Sequence, residues 1–247
     1  MIHFLIAPDF PPENFAGWHL LNTLLQKITD NPIRLITPAG HREQMDVLRN
    51  QKVNLVYANP FDAAQLVHEQ GYLPLVKPRA CSDEMLITSY ADSPYQHSDE
   101  LKAGCKILAT ENQDLRLLGL RLLESANLTE QDIEWIAVDT FQEAARRLIN
   151  QEADAAFFLV STYLHFMPNT RKQMKTLMQS RIGDLYHIIL LHPDDAELHD
   201  FFRDTFIQIG NTDDGEKVLQ DLDMRGFDAV SQEDMEFMID LMETLKD

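Results

Sequence analysis

Cysteine, glycine and basic residues are scarce in this sequence of 247 residues. The two cysteines, Cys81 and Cys105, lie 24 positions apart, a spacing that fits neither a metal-binding knuckle nor a redox pair. Lys and Arg number 21 against 40 Asp and Glu, which gives a formal net charge of −19. Such a surface repels phosphate groups, and the sequence contains no basic patch. We therefore expect no nucleic-acid partner and no binding to anionic membranes.

Long hydrophobic runs are absent as well. The longest, residues 186–191, is the length of a strand, whereas a membrane span needs about 18 apolar residues. At the start of the chain, residues 2–7 form an apolar run without a preceding basic segment, and Pro8 and Asp9 follow it. That order predicts a strand rather than a secretory signal. It also predicts a cytoplasmic location for the chain as written, or a periplasmic one if a signal has been removed.

The motifs of common enzymes are missing. The sequence has no P-loop, no G-x-G-x-x-G after a strand, no G-x-S-x-G elbow and no H-E-x-x-H. Histidines and acids do gather between His187 and His199, but Pro193 interrupts them and no two histidines are four positions apart. We therefore predict a protein that is not an enzyme and that binds neither a metal nor a cofactor.

Apolar runs and helical repeats alternate along the chain, which predicts an α/β protein. In the first part, strands are predicted at residues 2–7, 33–37, 53–58 and 84–90, with helices at 17–28, 40–51 and 60–67 between the first of them. The alternation restarts after the polar stretch 91–95, and residues 186–191 are predicted to be a strand that returns to the first lobe. We therefore predict two lobes, residues 1–88 with 187–247 and residues 89–186. Parallel sheets of this kind bind ligands at the carboxyl ends of their strands.

Several segments resemble a known family. Residues 50–61, Asn-Gln-Lys-Val-Asn-Leu-Val-Tyr-Ala-Asn-Pro-Phe, are similar to the G-K-V-D-[ILV]-A-[WY]-x-G-P segment of phosphate/phosphite/phosphonate-binding proteins. Residues 86–94, 150–156 and 213–227 resemble, in the same order, its crossing strand, a strand of its second lobe and its C-terminal segment. The resemblance implies the bilobal type II periplasmic-binding-protein fold, in which two crossing strands join two α/β lobes. It also implies a non-catalytic protein of the ABC-transporter type that closes around a small ligand in the cleft.

The family's anion-binding segment differs here. Its Ser-Thr-Ser-Gly run, which holds phosphonate oxygens, is matched by Thr110-Glu111-Asn112-Gln113-Asp114. A carboxylate about 4 Å from an anion costs roughly 4 kcal/mol at an effective dielectric near 20, which disfavours a phosphonate ligand. A second family position, usually His, is Phe141. We therefore predict ligand contacts from acidic, amide, hydroxyl and aromatic side chains at Asp9, Phe10, Tyr57, Asn59, Thr110, Glu111, Asn112, Gln113, Thr140, Phe141 and Phe158.

Other interpretations stay open at this point. Residues 111–114 are also typical of a helix N-cap followed by solvated acids, which requires no ligand. The loss of the anion site favours sensing or regulation over phosphonate uptake. Residues 192–247 contain 17 Asp and Glu against 4 Lys and Arg, so this acidic face is a candidate surface for a basic protein partner, with a vestigial cleft. A third hypothesis is a small-molecule enzyme that uses Glu111 or Asp114 as an acid or base.

Overall fold

Strands and helices alternate in the computed structural model, which describes residues 1–245. The strands are β1 Ile2–Ile6, β2 Ile33–Ile36, β3 Leu55–Ala58, β4 Leu73–Pro78, β5 Met85–Tyr90, β6 Cys105–Ala109, β7 Ile133–Ala137, β8 Ala155–Leu159, β9 Met174–Gln179, β10 Ile188–Leu191 and β11 Phe227–Ala229. The helices are α1 Phe15–Thr29, α2 His41–Asn50, α3 Pro60–Gln70, α4 Gln113–Leu123, α5 Phe141–Ile149, α6 Val160–His165, α7 Pro168–Arg171, α8 His199–Ile209, α9 Asp213–Gln220 and α10 Gln232–Thr244.

The chain divides into two compact units. Unit 1 contains Met1–Ser82 and Asp184–Thr244, and unit 2 contains Asp83–Gly183. The predicted boundary after residue 88 falls inside β5, which pairs with β8 and β9 in the sheet of unit 2. The chain therefore enters unit 2 before β5 rather than within it. Of the predicted first lobe, residues 246 and 247 lie outside the described part of the chain.

The sheet of unit 1 is mixed, with the strand order β11-β4-β10-β3-β1-β2. Strands β1, β2 and β3 are parallel, as the alternation predicts, whereas β10 runs antiparallel between β3 and β4. The alternation predicts the parallel strands, but it does not predict the direction of β10. This strand begins opposite Ala58, where β3 ends, and therefore makes the sheet mixed. Both β3 and β10 are buried along their whole length, which is typical of central strands covered on both faces.

Aromatic side chains fill the core of unit 1. The ring of Phe4 meets those of Trp18 and Phe206 edge to face, at centroid distances of 6.4 and 6.1 Å. Phe227 continues the cluster, 5.5 Å from Phe206. These contacts bind α1 and α8 to the sheet, and such edge-to-face pairs add to the stability that burial alone contributes.

The sheet of unit 2 is also mixed, in the order β7-β6-β8-β5-β9. Strands β6, β7 and β8 are parallel, and β5 runs antiparallel to β8 and β9. Helix α4 packs closely on this sheet at Gly119, where an added Cβ would lie 2.0 Å from Cε2 of Phe157. Strands β4, β9 and β11 complete the two sheets, although the sequence pattern does not predict them.

Candidate ligand-binding site

Three segments that are distant in sequence meet at one edge of the unit 1 sheet. Asp9 follows β1, Asn59 follows β3, and His187 directly precedes β10. Because β1 and β3 are parallel and Ile188 pairs with Ala58, the three residues share the edge where β1 and β3 end. This is the edge at which α/β sheets bind ligands.

Asp9 is the centre of this group. Its Oδ1 lies 3.0 Å from Nε2 of His187, and its Oδ2 accepts a hydrogen bond from Nδ2 of Asn59 at 3.2 Å. The side chains of Asp9 and His187 are 7% and 9% exposed. Burial raises the pKa of Asp9, but the charge of His187 and the hydrogen bonds from His187 and Asn59 outweigh burial, so the pKa lies below its ordinary value. The buried carboxylate therefore stays ionised near neutral pH.

A second buried carboxyl continues the group. The Oδ1 of Asn59 accepts the backbone N–H of Asp62 at 2.9 Å, which caps α3. Nε2 of Gln44 donates to Oδ2 of Asp62 at 2.6 Å, and Nδ1 of His41 lies 3.7 Å from the same oxygen. Burial raises the pKa of Asp62, and the nearby Asp9 charge adds to this, whereas His41 and Gln44 oppose it. The two carboxyls thus have pKa values shifted in opposite directions.

Aromatic rings hold His187 in place. The rings of His187 and Tyr57 are stacked at 4.8 Å with an interplanar angle of 19°. Trp18 lies 4.6 Å from Tyr57, and Phe10 lies 6.1 Å from Trp18. The Nε1 of Trp18 is buried and has no hydrogen-bond partner in the described structure. Tyr57 and Phe10 thus belong to one aromatic cluster next to Asp9.

All the predicted residues of unit 2 except Phe158 follow the carboxyl ends of β6 and β7. Asn112 is the N-cap of α4, and its Oδ1 accepts the N–H of Leu115 at 3.0 Å. Thr140 is the N-cap of α5, and its hydroxyl accepts the N–H of Glu143 at 3.1 Å. The interpretation of residue 112 as a helix cap is therefore confirmed.

The polar side chains on either side of the Asn112 cap differ in their exposure to solvent. Glu111 and Gln113 are exposed, whereas Asp114 is 2% exposed in the first turn of α4. The expectation that both acids are solvated is wrong for Asp114, because its position in the first helical turn faces the protein interior. The hydroxyl of Thr110 is buried without a hydrogen-bond partner among the described atoms. A carboxylate and a hydroxyl are thus both buried near the start of α4.

Phe158 lies in the core of unit 2 rather than on a loop. It belongs to β8, is fully buried, and has rings of Phe141, Tyr163 and Phe166 within 6.2 Å of its own. Phe141 is itself 7% exposed at the start of α5. These two predicted ligand contacts are therefore placed as packing residues. Of the two cysteines, Cys81 is exposed and Cys105 is buried.

The histidines and acids near residue 192 have structural partners. Nδ1 of His192 accepts the N–H of Asp194 at 3.2 Å, and Nε2 of His199 lies 3.0 Å from the carbonyl oxygen of Pro74. Over residues 1–245, no group of three or more His, Cys, Asp and Glu side chains is arranged to hold a metal ion. Nor does any helix of this range combine the length and apolar character that crossing a membrane requires.

Sequence reasoning missed His187, Asp62, Gln44 and Trp18. His187 stands 178 positions from Asp9, and no local spacing marks the pair. The sequence does offer one signal for Asp62, because this residue lies three positions after Asn59, a residue type that often caps helices, and an acid is typical at that position. Gln44 and Trp18 fall on predicted helices, with nothing in the pattern to separate them from packing residues.

Solved structures with the same fold are substrate-binding proteins. PhnD1 from Prochlorococcus marinus in complex with methylphosphonate has a TM-score of 0.83 at 10% identity, covering 99% of this chain and 98% of that chain. A binding-protein component of an ABC phosphonate transporter from Pseudomonas aeruginosa has a TM-score of 0.80 at 15% identity, covering 100% and 88%. The aliphatic sulphonate binding protein SsuA from Escherichia coli has 0.71 at 14%, covering 99% and 92%. At these identities the likeness establishes the fold, that of the bilobal periplasmic binding proteins.

The family follows from the sequence itself. The profile of the family described as "ABC transporter, phosphonate, periplasmic substrate-binding protein" matches residues 4–235. The chain belongs to this family, which confirms the resemblance in residues 50–61 and 213–227. A comparison with curated proteins finds no match. The family and its solved structures are non-catalytic, so the prediction that the chain is not an enzyme agrees with them.

Proposed function

We propose that this substrate-binding protein takes a small polar ligand that lacks a phosphonate group, and that it serves sensing or regulation rather than phosphonate uptake. The observation that carries the proposal concerns α3, α4 and α5, which follow β3, β6 and β7. Each of these helices is capped by its own Asn or Thr side chain and has an acid in its first turn. Open helix N-termini are where anions bind. Here a backbone N–H of each helix is already taken, and the acids repel a second negative charge.

Direct titration tests the proposal. We expect calorimetry to detect no binding of methylphosphonate or phosphate, and at least one member of a panel of uncharged and cationic metabolites to bind. A ligand at 100 times its Kd stabilises a protein by about 2.7 kcal/mol, so thermal unfolding reports the same result independently. Tight binding of methylphosphonate would contradict the proposal.

A variant can restore the anion site. Glu111→Gln with Asp114→Asn keeps the size of both side chains and removes two negative charges near the start of α4. If these charges repel anions, this variant binds methylphosphonate more tightly than the unmodified protein does. The matched control is Asp92→Asn with Asp99→Asn, which removes two charges from exposed positions of unit 2 that precede β6. Equal affinities in all three proteins would show that these acids do not select the ligand.

The cellular role has its own test. Proteins of this family work with ABC transporters, so the partner expected for uptake is a transporter membrane subunit. Cross-linking in the host followed by mass spectrometry separates the two roles. Cross-links to a signalling or regulatory protein would support sensing, whereas cross-links confined to ABC-transporter subunits would support uptake and contradict this part of the proposal.

A protein partner on the acidic face is a second candidate. Phe201 and Leu198 are 45% and 36% exposed, and the carboxylates of Asp194, Asp200 and Asp204 near them in sequence are exposed as well. Apolar side chains among acids suit a partner segment that is both basic and apolar. We expect such an interaction to weaken steeply between 50 mM and 500 mM salt. If Phe201→Ser and Asp204→Asn leave every cross-link unchanged, this candidate fails.

A further inference from the structure

We propose that two copies of this chain associate, with the cationic segment of one copy, residues 160–181, bound to the acidic face of the other at Asp200, Phe201 and Asp204. The inference rests on the second candidate of the proposed function, which is a basic and apolar partner for the acidic face. It names that partner as a second copy of the same chain. It does not depend on which small ligand the protein binds.

The cationic segment is a local exception in a chain whose net charge is −19. No Asp or Glu lies between Asp154 and Asp184. The basic residues of the segment are Arg171, Lys172, Lys175 and Arg181. In the part of the chain that the structure describes, none of them belongs to an ion pair, whereas Lys106 and Arg147 of the same unit do. The positive charge of this segment is therefore not compensated by a neighbouring carboxylate.

Two large apolar side chains are exposed in the same segment. Leu164 on α6 and Met167 just before α7 are 57% and 73% exposed. The carbonyl oxygen of Met167 accepts the N–H of Arg171 at 3.1 Å. The neighbouring Phe166 is buried edge to face against Phe158, at a centroid distance of 5.4 Å. Because packing and a hydrogen bond hold this turn, Met167 is presented to a partner at little cost in conformational entropy.

The acidic face offers the complementary chemistry. Phe201 is 45% exposed and lies three positions before Asp204 on α8, so both are on one side of the helix. The side chains of Asp200 and Asp204 are 79% and 54% exposed. Arg203 pairs with both, but residues 192–247 as a whole contain 17 Asp and Glu against 4 Lys and Arg. This face thus combines negative charge with an exposed aromatic ring.

Opposite charges decide how two such chains meet. Their long-range repulsion is screened beyond about 8 Å at physiological ionic strength. At shorter range, contact is favoured where a positive surface meets a negative one, and Met and aromatic side chains are typical of the centre of an interface. A membrane of anionic lipids also suits basic residues beside apolar ones, but the net charge of −19 opposes it. The second copy is therefore the favoured partner.

Sedimentation velocity of the full chain, between about 1 and 300 µM, tests the inference. We expect the sedimentation coefficient to rise with concentration. Lys172→Glu and Asp204→Lys are each expected to raise the dissociation constant at least about 10-fold, because each replaces an attraction by a repulsion. The controls are Lys102→Glu and Asp46→Lys, which reverse exposed charges outside both surfaces and are expected to leave the dissociation constant unchanged.

A mixture of the two variants tests whether unlike surfaces meet. The intact cationic segment of the Asp204→Lys chain can bind the intact acidic face of the Lys172→Glu chain. We therefore expect the mixture to associate although neither variant associates with itself. No association in the mixture would overturn the inference, as would an unmodified chain that stays monomeric or that binds phosphatidylglycerol vesicles as a monomer. The ligand titrations of the proposed function would stand in each case, since they do not require self-association.

Cross-linking of the unmodified protein gives a result that does not depend on the folding of any variant. A carbodiimide joins an amine directly to a carboxylate, and a mixture of isotope-labelled and unlabelled chains separates links between copies from links within one. We expect links from Lys172 of one copy to Asp200 or Asp204 of another. If Lys172 is linked only within its own chain, the inference is wrong.

Discussion

Nε2 of His187 lies 3.0 Å from Oδ1 of Asp9, and this contact joins the loop after β1 to the residue directly before β10. Both side chains are almost completely buried. The contact secures the point at which the chain re-enters unit 1, only a few residues after Asp184. The residues that hold the candidate site in unit 1 are therefore also residues that hold the returning strand in its sheet.

Asn59 has two functions that substitutions can separate. Its Oδ1 caps α3, and its Nδ2 donates to Asp9. Asn59→Ala is expected to lower the free energy of unfolding by about 1–2 kcal/mol because it removes the cap. Asn59→Ser retains a capping oxygen but loses the donor, so it should cost clearly less. Urea unfolding of the three proteins checks the order, and equal losses in both variants would contradict the role as a cap.

Asp62 is expected to lower stability in its ionised form. Burial raises its pKa above the ordinary 3.8, so the folded protein binds this proton more tightly than the unfolded chain does. The ionised carboxylate of Asp62 lowers the free energy of unfolding fully at pH values above its raised pKa. This loss becomes smaller as the pH falls through the raised pKa towards 3.8. Asp62→Asn should therefore raise the free energy of unfolding at pH 7, and the gain should shrink by pH 4. A gain that grows towards pH 4, measured against Asp46→Asn, would contradict the raised pKa.

Glu84, at the start of unit 2, forms hydrogen bonds with residues 180–183, at the end of the same unit. Its Oε1 accepts the N–H groups of Ile182 and Gly183 at 2.9 and 2.8 Å, and its Oε2 bonds to the hydroxyl of Ser180. Glu84→Ala is expected to cost about 2–3 kcal/mol, since several hydrogen bonds to one charged group are lost. It should also speed hydrogen exchange at residues 182 and 183. The exposed Asp92→Asn serves as the control, and unchanged exchange at those amides would refute the prediction.

Gly119 has no room for a side chain. A Cβ there would lie 2.0 Å from Phe157, which is fully buried in β8. Gly119→Ala is therefore expected to lower the free energy of unfolding by about 1–3 kcal/mol, despite the higher helix propensity of alanine. The double variant Gly119→Ala with Phe157→Leu should lose less free energy of unfolding than the sum of the two single variants, because the smaller leucine side chain relieves the overlap. Additive losses in denaturant unfolding would exclude this contact as the cause.

A substitution of Phe158 tests whether this residue serves packing or ligand binding. Since it is fully buried among aromatic rings, Phe158→Ala should cost about 3–5 kcal/mol through the cavity that it leaves. Denaturant unfolding measures this loss. At temperatures where the variant remains folded, its affinity for any ligand found by titration should equal that of the unmodified protein. A selective loss of affinity with little loss of stability would restore Phe158 as a contact residue.

The sequence by itself determined the local structure and the family. The alternation of strands and helices, the cap at Asn112 and the proline that begins α3 all depend on residues within a few positions of each other. The ordered motifs from residue 50 to residue 227 were enough to identify the family, whose profile covers residues 4–235. The family is described as periplasmic, and cell fractionation would distinguish the two predicted locations of this chain, cytoplasmic and periplasmic.

Only the tertiary structure decided which of the candidate residues come together. It placed β10 antiparallel beside β3, joined His187 to Asp9, and buried Asp114 while leaving Glu111 exposed. The physical reason is that pairing between strands and burial of a side chain depend on segments more than a hundred residues apart, whereas periodicity reports only on neighbours along the chain. The acidic and amide character of the candidate site was therefore readable from the sequence, but its hydrogen-bonded network was not.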